Sequence, residues 1–393
     1  MEGTGSVDQL ESIQLNSGSG RQLRILHVVG GMGAGGIETW LINILRSIDR
    51  SRFQIDFLVH TDQQCFYDEE IRSLGSKIIP CSTPSNPWLY NRNFRKILRE
   101  YGPYDIVHSQ VYLYDGFVLR LADRENVPVK ISHIHPLTDI NQTKPFRLIY
   151  RWIMCRLIAK YATHILCPSK NTLESFQKIC DISNQQISIL YNGVDLKKFD
   201  RSIDKIAIRE KNNLPLDRFI VVYVARFEPH KNHAQIFRIA EKMHQSNQNV
   251  HFVLIGSSGE LLKSVQEKVE QHNNISMIVG VQDISDLLRA ADLFFFPSLE
   301  EGFGIVAIEA AAAGLPIVAT NLPTIREACC QSHHRFMFPP NDDLAAIDNI
   351  LTIVNNQELR QTLSLDAAQW AKNFSINESL NSLVSTYSSN FHR

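Results

Sequence analysis

Short apolar runs alternate along most of the chain with segments whose apolar residues have helical spacing. The first run, Leu23–Val29, ends in a glycine cluster at 30–36, and a helical pattern follows at 37–48. A strand, a glycine turn and a helix in this order are how a doubly wound α/β domain usually begins. The runs are continuous rather than alternating, which is typical of parallel strands buried on both faces.

Further apolar runs form two successive series of predicted strands. The first series continues at 53–59, 76–81, 105–110, 129–134, 163–169 and 187–195. The second series occupies 219–227, 250–256, 275–280, 292–298 and 316–320. Two consecutive series of strands and helices predict two Rossmann-like domains with a cleft between them. The polar residues 200–217 between the series are expected to form a linker.

The predicted fold class is therefore α/β, with two doubly wound domains facing each other across a cleft. We expect a disordered tail at 1–20, an N-terminal domain at 21–200 and a C-terminal domain at 201–375. The last helix, at 376–393, is expected to cross back onto the first domain. A chain of 393 residues is too long for one ordinary core, which agrees with two domains.

Composition and charge exclude several classes of protein. Hydrophobic residues make up 44% and charged residues 21%, as in ordinary globular proteins, and the net charge of −1 gives no indication of nucleic-acid binding. Seven cysteines without CxxC spacing predict neither a disulfide framework nor a zinc site, and they favour a reducing compartment. The first 20 residues lack the apolar core of a signal peptide, and no apolar run is long enough to span a membrane. We therefore expect a cytoplasmic protein, with the inner face of a membrane as a second candidate location.

The segment 297–320 carries the most informative chemistry. A predicted strand is followed by a loop with Glu301 and Gly302–Gly304, and a helix begins near Ile305. Loop glycines let backbone amides approach a ligand, and a helix N-terminus favours a phosphate. Glu309 follows Glu301 by eight residues, about two turns of a helix, so both carboxylates are expected at the same cleft edge. The alternative is a pair of ordinary glutamates, one placed by the helix dipole and one half-exposed.

Two other loops are candidates for the same site. Arg226 and Lys231 lie where the first strand of the second domain meets its helix, and together they suit a diphosphate leaving group that gains negative charge. The alternative is two solvated loop cations. The loop 30–38 lacks the G-x-G-x-x-G spacing and the following acid of a dinucleotide site, so NAD binding is disfavoured. Its glycines suit a close approach to a ligand across the cleft, or an ordinary tight turn.

In combination, these motifs resemble those of glycosyltransferase family 4, whose members have the GT-B fold and retain the anomeric configuration. The resemblance runs from about Arg24 to Tyr387 and includes E-x7-E at Glu301 and Glu309, RFEPHKNH at 226–233 and YNGVD at 191–195. The motifs RFEPHKNH and KISHIHP resemble those of the family's branch that makes capsules and exopolysaccharides. The resemblance implies a retaining transfer of a hexose from a UDP- or GDP-linked sugar to a glycan or lipid-linked acceptor, with the second domain binding the donor.

The resemblance also implies a role for each matching residue. Arg226 and Lys231 would neutralise the diphosphate without a metal or other cofactor, and the chain has no Asp-x-Asp metal motif. Glu301 would contact the donor sugar and Glu309 the ribose. The remaining expected donor-binding residues are Gly302, Phe303, Gly304, Ile305, Gly35, Gly36, Gly280 and Val281.

The family places a histidine beside the reacting sugar at the end of a strand of the first domain. Two histidines, His133 and His135, lie on the same face of the predicted strand because they are two residues apart. His135 is favoured because it is nearer the carboxyl end of the strand, where ligands bind in doubly wound sheets. A histidine satisfied within the core is the alternative for either residue.

Residues 144–160 form a basic helix with Phe146, Tyr150 and Trp152 among aliphatic residues. Arg147 and Arg151 share one face of this helix, which suits contact with an anionic membrane that carries a lipid-linked acceptor. A core helix with a solvated edge is equally compatible with the pattern.

Three other functions are compatible with parts of the pattern. A sugar-nucleotide epimerase with the same fold would convert the donor without an acceptor. A non-catalytic sugar-nucleotide-binding protein would be expected to lack one of Arg226, Lys231 and Glu309, and all three are present. A dehydrogenase would need the missing dinucleotide motif. Cys329 and Cys330, with the histidines that follow, are interpreted as structural because vicinal cysteines are poor chelators.

Overall fold

The structure is a computed structural model that describes residues 21–135, 144–182, 186–200, 204–281 and 283–389. Its first half is a parallel sheet of seven strands in the order β3-β2-β1-β4-β5-β6-β7. The strands are β1 (Leu23–Val29), β2 (Phe53–Val59), β3 (Ile78–Pro80), β4 (Ile106–Ser109), β5 (Val129–His133), β6 (His164–Cys167) and β7 (Gln186–Ile189). The helices of this half are α1 (Gly36–Ser47), α2 (Asp68–Ser73), α3 (Pro87–Tyr101), α4 (Asp115–Arg124), α5 (Pro145–Tyr161), α6 (Lys170–Gln177) and α7 (Lys197–Asp200).

The second half is a parallel sheet of six strands in the order β10-β9-β8-β11-β12-β13. The strands are β8 (Phe219–Val224), β9 (Val250–Gly256), β10 (Ile275–Val279), β11 (Leu293–Phe296), β12 (Ile317–Thr320) and β13 (Met337–Phe338). The helices are α8 (Lys205–Lys211), α9 (His233–Gln245), α10 (Leu262–Val269), α11 (Ser285–Ala290), α12 (Ile305–Ala312), α13 (Pro323–Ala328), α14 (Asp343–Val354), α15 (Gln357–Ala371) and α16 (Ile376–Ser389). The prediction of two doubly wound domains is confirmed.

Burial on both faces explains why the strands have continuous apolar sequences. In β1, Leu26 and Val28 pack into a core on one face of the sheet, while Ile25 and Val29 pack into a second core on the other. Consecutive side chains of a strand point to opposite faces, so every position of such a strand is buried. His27 lies between these residues and is completely buried.

The chain returns to the first domain through its last helix, as the sequence predicts. Val194 and Ile376 are joined by a backbone hydrogen bond of 2.8 Å at the start of α16. The indole nitrogen of Trp40 in α1 then donates to Oγ of Ser379 at 2.8 Å. A Cβ atom at Gly193 would lie 2.6 Å from the carbonyl oxygen of Ser375, so glycine is needed where the two segments cross.

Part of the segment predicted as a linker is instead a helix of the second domain. Arg209 of α8 is buried; its guanidinium donates to the carbonyl of Ala290 at 2.9 Å and to the carboxylate of Asp292 at 2.8 Å. The charged composition of 200–217 predicted a solvent-exposed linker. An arginine can nevertheless be buried where its N–H groups all have hydrogen-bonding partners.

Candidate active site

The two sheets meet through the loops that follow their carboxyl ends. In each sheet the strand order reverses at one point, between β1 and β4 in the first sheet and between β8 and β11 in the second. Ligands of doubly wound folds bind outside the carboxyl ends of the strands at such a reversal. A Cβ atom at Gly36, after β1, would lie 2.9 Å from the side chain of Ile305, after β11. The two reversal points therefore face the same cleft.

Lys231 and Glu301 form an ion pair on the second-domain side of this cleft. Nζ of Lys231 lies 2.5 Å from Oε1 of Glu301, and the two side chains are only 15% and 11% exposed. The loops that carry them are joined by the amide of Leu299, which donates to the carbonyl of His230 at 2.8 Å. The sequence placed these residues 70 positions apart, and the fold brings them into contact because β8 and β11 are neighbours.

Arg226 is exposed at the end of β8 and faces the first domain. Burial raises the pKa of Glu38 in the first turn of α1, while a hydrogen bond to the backbone of Glu38 and the positive charge of Arg226 oppose that shift. The carboxylate of Glu38 folds back over the glycine loop, since a Cβ atom at Gly35 would lie 2.3 Å from its Oε2. Arg226 and the glycine loop are thus on opposite sides of the same opening.

The loop before α12 is held from across the cleft. The carbonyl of Gly302 accepts hydrogen bonds from the hydroxyls of Ser169 at 3.1 Å and Thr172 at 3.0 Å. Phe303 is buried in the core of the second domain. Gly304 precedes the helix with a φ of 80°, a conformation that favours glycine. The loop that carries Glu301 therefore leads directly into the first amides of α12, which have no partner within the helix.

Glu309 lies on the second turn of α12 and is half-buried. Burial raises the pKa of its carboxyl group to about 7, while Lys198 lowers and Asp283 raises that pKa to smaller extents. Lys198 and Asp283 are themselves 3.7 Å apart. Glu301 and Glu309 are not two helical turns apart as predicted, because α12 begins only at Ile305 and Glu301 lies in the loop before it. The two carboxylates consequently have different neighbours.

Gly280 and Val281 follow β10 at the edge of the second sheet. Gly280 is exposed with a φ of 78°, and its amide donates to the carbonyl of Gly256 at 3.0 Å. These residues come just before Asp283, whose charge acts on Glu309. The loop that carries these residues therefore leads to the Glu309 end of the site.

His133 and His135 are in contact, with ring centroids 4.4 Å apart, but their surroundings differ. His133 is completely buried, and neither of its ring nitrogens has a hydrogen-bonding partner among the described residues. Nε2 of His135 lies 3.1 Å from Oε1 of Gln110. His133 is the last residue of β5, whereas His135 lies beyond it, nearer the cleft. Burial lowers the pKa of both imidazoles, that of His135 to about 3.

Sequence reasoning missed several polar residues that surround these histidines. His27 and His108 are paired across β1 and β4, with ring centroids 4.6 Å apart, and both contact the hydroxyl of Tyr387. Gln110 bridges His27 and His135. The histidines at 27, 108 and 133 each lie inside an apolar run, which is the signal that could have indicated a polar network within the sheet.

Glu327 connects the two domains. Its carboxylate accepts hydrogen bonds from the amides of Lys170 at 2.8 Å and Asn171 at 3.2 Å, at the start of α6. The hydroxyl of Tyr191 donates to the same carboxylate at 2.9 Å. A carboxylate at a helix N-terminus satisfies free amides and is attracted by the helix dipole. Glu327 of the second domain thus caps a helix of the first.

One pair of cysteines forms a disulfide, which the sequence analysis did not predict. Cys155 of α5 and Cys180 are joined by a disulfide, with Cα atoms 5.2 Å apart, because both lie in the same buried core. Cys330 contacts Nδ1 of His333 at 2.7 Å. Within the described residues, no three His, Cys, Asp or Glu side chains are grouped as a metal ion would require. A search of the same residues for a helix long and apolar enough to cross a membrane also finds none.

Two family models cover most of the described chain. Residues 34–198 match the model of Glycosyltransferase Family 4, and residues 204–370 match that of Glycosyl transferases group 1. The EpsF glycosyltransferase of Bacillus subtilis is 34% identical over 310 residues, which cover 76% of this chain and 79% of the relative. A galactosyltransferase of Escherichia coli is 28% identical over 265 residues, 65% of this chain and 68% of the relative. Its name gives UDP-Gal as donor and alpha-D-GlcNAc-diphosphoundecaprenol as acceptor.

The fold is also found among solved structures. The HepE protein of Anabaena, solved in complex with UDP and glucose, aligns with a TM-score of 0.78 and 18% sequence identity. The alignment covers 94% of this chain and all of HepE. Nearly the whole molecule therefore has the architecture of that protein.

Proposed function

This chain belongs to glycosyltransferase family 4, in the branch of capsule and exopolysaccharide enzymes, and we propose a retaining hexosyl transfer for it. The donor would be a nucleoside diphosphate sugar, and UDP-linked sugars are the first candidates. The acceptor would be a glycan or a lipid-linked sugar. The structure of HepE with UDP and glucose and the lipid-linked acceptor named for the Escherichia coli relative support both choices.

The observation that carries the proposal is the clustering of charge and helix amides at one opening. Lys231 pairs with Glu301 in the loop that leads into α12, and Arg226 is near enough to Glu38 of the first domain to act on its pKa. A pyrophosphate bound there would exchange the Lys231–Glu301 pair for its own contact with Lys231, and would release Glu301 to the hydroxyls of the sugar. Positive charge placed in advance stabilises a leaving group whose negative charge grows in the transition state.

The other site residues would orient the donor. Glu309 would accept hydrogen bonds from the ribose hydroxyls, and Gly280 and Val281 would lie beside the base. The backbone groups of residues 302–304 would contact the sugar, and the amide of Ile305 would donate to a phosphate. Gly35 and Gly36 would approach the donor from the first domain. His135 rather than His133 would meet the reacting sugar, because only His135 lies beyond the strand end.

A panel of nucleotide sugars tests the proposal. A donor at 100 times its Kd stabilises the folded protein by about 2.7 kcal/mol, which a thermal melt detects. We expect one UDP- or GDP-hexose to raise Tm and to be hydrolysed slowly, and NMR of the transfer product to show the anomeric configuration of the donor. A chain that no nucleotide sugar stabilises would contradict the proposal.

The same panel distinguishes the alternatives. Conversion of the donor sugar without acceptor would identify an epimerase, and stabilisation without hydrolysis or transfer would identify a binding protein. NAD as the stabilising ligand would indicate a dehydrogenase. We further propose that no metal is needed, since Arg226 and Lys231 supply the positive charge, so EDTA should leave the transfer rate unchanged.

We also propose that α5 docks on an anionic membrane surface. One side of α5 packs against α4, where a Cβ atom at Gly116 would lie 2.5 Å from the carbonyl oxygen of Met154. The opposite side exposes large apolar residues: Phe146 is 89% exposed, Trp152 58% and Ile149 56%. Exposed aromatic and aliphatic side chains on a basic helix are typical of segments that lie in a membrane interface.

Vesicle sedimentation tests the docking surface. Arg156 and Lys160 are exposed on α5, whereas Arg147 and Arg151, which the sequence suggested for this contact, are half-buried. Glutamate at Arg156 and Lys160 should reduce binding to anionic vesicles at low salt, because each basic residue near the surface contributes about 1 kcal/mol. Trp152→Asp should reduce the binding that persists at high salt. Leu365→Asp, on an exposed residue of α15, is the matched control and should bind normally. Unchanged sedimentation of the charge-reversal variants would exclude this surface.

A further inference from the structure

A chain of hydrogen bonds runs from the C-terminal helix to the cleft through the first sheet. The hydroxyl of Tyr387 in α16 lies 3.1 Å from Nε2 of His27. Nδ1 of the same imidazole lies 2.8 Å from Nε2 of Gln110, and Oε1 of Gln110 lies 3.1 Å from Nε2 of His135. The network thus joins four segments that are far apart in sequence: α16, β1 and the residues that follow β4 and β5.

All four side chains are buried, so water does not complete their hydrogen bonds. Burial lowers the pKa of His27 and His135 to about 3, and both imidazoles are therefore neutral at physiological pH. A neutral imidazole has one N–H group and one lone pair. Which nitrogen carries the proton is then decided by the partner of each nitrogen.

The amide of Gln110 makes this choice for both histidines at once. An amide has a donor at one end and an acceptor at the other, so the two ring nitrogens that face it must be of opposite kinds. Nε2 of Gln110 donates to Nδ1 of His27, which leaves the proton of His27 on Nε2, directed at Tyr387. Oε1 of Gln110 accepts from Nε2–H of His135, whose lone pair is then on Nδ1.

Tyr387 extends the network at its far end, because its hydroxyl can accept one hydrogen bond and donate another. Its oxygen accepts from Nε2–H of His27, and its own proton is then donated to Nδ1 of His108 at 2.9 Å. If the amide of Gln110 turned over, His27 would present a lone pair to Tyr387, and every bond of the chain would have to reverse. The state of His135 is therefore coupled, through Gln110 and His27, to a hydroxyl on a helix that it does not contact.

His135 lies on the edge of the sheet that faces the cleft. The strand that precedes it, β5, lies between β4 and β6. The loop after β6 bonds to Gly302 and the loop after β1 contacts Ile305, so the carboxyl edge that includes β5 borders the donor loop. An uncharged acceptor nitrogen at this edge suits a sugar hydroxyl and does not repel a sugar ring that gains positive charge as its bond breaks.

We propose that Gln110 is a positioning residue that holds His135 as the Nε2–H tautomer, and that Tyr387 on α16 is coupled to this tautomer through His27. The inference rests on the proposed function only for the contact between His135 and the sugar. The tautomer itself is a property of the free protein. It can therefore be measured whether or not the chain transfers a hexose.

The test compares Gln110→Leu and Tyr387→Phe with a matched control. Gln186 accepts from a ring nitrogen of His164 at 3.3 Å in the same sheet but outside the network, so Gln186→Leu removes an equivalent bond. Ring-nitrogen chemical shifts of 15N-histidine-labelled protein report each tautomer. We expect one Nε2–H tautomer of His135 in the wild type and in Gln186→Leu, and a mixture of tautomers in the two network variants.

Kinetics with the donor and acceptor give a second measurement. Gln110→Leu should lower kcat about 10- to 100-fold, the usual cost of losing a partner that fixes a histidine tautomer, with little change in KM for the donor. Tyr387→Phe should lower kcat less, and Gln186→Leu should leave it unchanged. Circular-dichroism melts establish that each variant is folded; if Gln110→Leu is not, Tyr387→Phe decides.

Two results would overturn the inference. One is a His135 tautomer that stays the same in a folded network variant. The other is an equal loss of kcat in Gln186→Leu, which would show only a general weakening of the sheet. A wild-type protein that transfers and hydrolyses no sugar would contradict the proposed function instead, and the tautomer measurement would still decide the role of Gln110.

Discussion

The two walls of the cleft use opposite kinds of side chain. The second-domain wall has charged, partly accessible groups, represented by Arg226, the Lys231–Glu301 pair and Glu309. The first-domain wall has neutral, buried groups, represented by Gln110 and His135. One wall can exchange its internal ion pair for contacts with a charged ligand. The other wall has its hydrogen bonds already formed and can only offer a fixed geometry.

This difference predicts different responses to substitution. Removing a member of the charged wall should act on the ligand step, because each ion pair is local and the remaining groups keep their places. Removing a member of the neutral wall should act on residues several contacts away, because a buried donor or acceptor that loses its partner costs free energy wherever it lies. The predictions below test this contrast in order of expected size.

The largest effect is expected for Lys231→Ala. Loss of the positive charge opposite the leaving group should lower kcat by about 10²- to 10³-fold, as removal of one transition-state donor does elsewhere. Transfer kinetics with the donor identified in the panel measure this change. Lys242→Ala breaks the exposed pair with Asp343 in the same domain and should leave the rate unchanged. An unaltered rate in Lys231→Ala would count against the charged wall as the leaving-group site.

The pH dependence of donor binding should come next. Ribose hydroxyls bind the ionised form of Glu309, whose pKa in the free protein is about 7. Protonation below that value competes with binding, so Kd should rise about tenfold between pH 8 and pH 6. Calorimetry with an intact nucleotide sugar, whose diester phosphates do not titrate in this range, measures the change. Glu309→Gln should bind more weakly at pH 8 and show a flat profile; a slope that persists in this variant would assign the titration to another group.

The interdomain cap should give a smaller effect. Glu327→Gln keeps the shape of the side chain but removes the charge at the start of α6, which should cost about 1–2 kcal/mol. Calorimetric unfolding measures this loss. Glu358→Gln, in the first turn of α15 but exposed, is the matched control and should change stability by less than about 0.5 kcal/mol. Equal losses in both variants would mean that Glu327 contributes no more than any first-turn glutamate.

The smallest effect is expected at His133. Its buried ring nitrogens have no hydrogen-bonding partner among the described residues, so His133→Leu removes two polar groups that burial disfavours. Stability should stay the same or rise by about 1 kcal/mol, with kcat unchanged. Denaturant melts and transfer kinetics check both points. A large loss of kcat would transfer the role proposed for His135 to His133.

Much of the charged wall could be predicted from sequence because its parts are close together along the chain. Glu301, the helix start at Ile305 and Glu309 all follow one strand, so a strand, a loop and a helix recognised locally already place them relative to each other. The bounds predicted for β1 and β9 agree with the structure for the same reason. The two-residue strand β13 was missed because its apolar run, at 336–338, is only three residues long.

The neutral wall could not be predicted in this way. The sequence indicated His133 and His135 but not Gln110 or Tyr387, which are 25 and 252 positions from His135. Their relation depends on the register of β1 with β4 and on where α16 docks, and neither is a local property. The same limitation applies to Glu327, whose partners at Lys170 and Asn171 lie in the other domain.

The amino-acid sequence by itself determined the two doubly wound domains, the charged loops after β8 and β11, and the family. These features depend on apolar periodicity and on short motifs, which act over a few residues. Only the tertiary structure decided that Lys231 pairs with Glu301, that Glu327 caps a helix of the first domain, and that Tyr387 reaches His27. Hydrogen bonds and ion pairs form within about 3–4 Å, so they depend on how distant segments pack, and no local pattern encodes that distance.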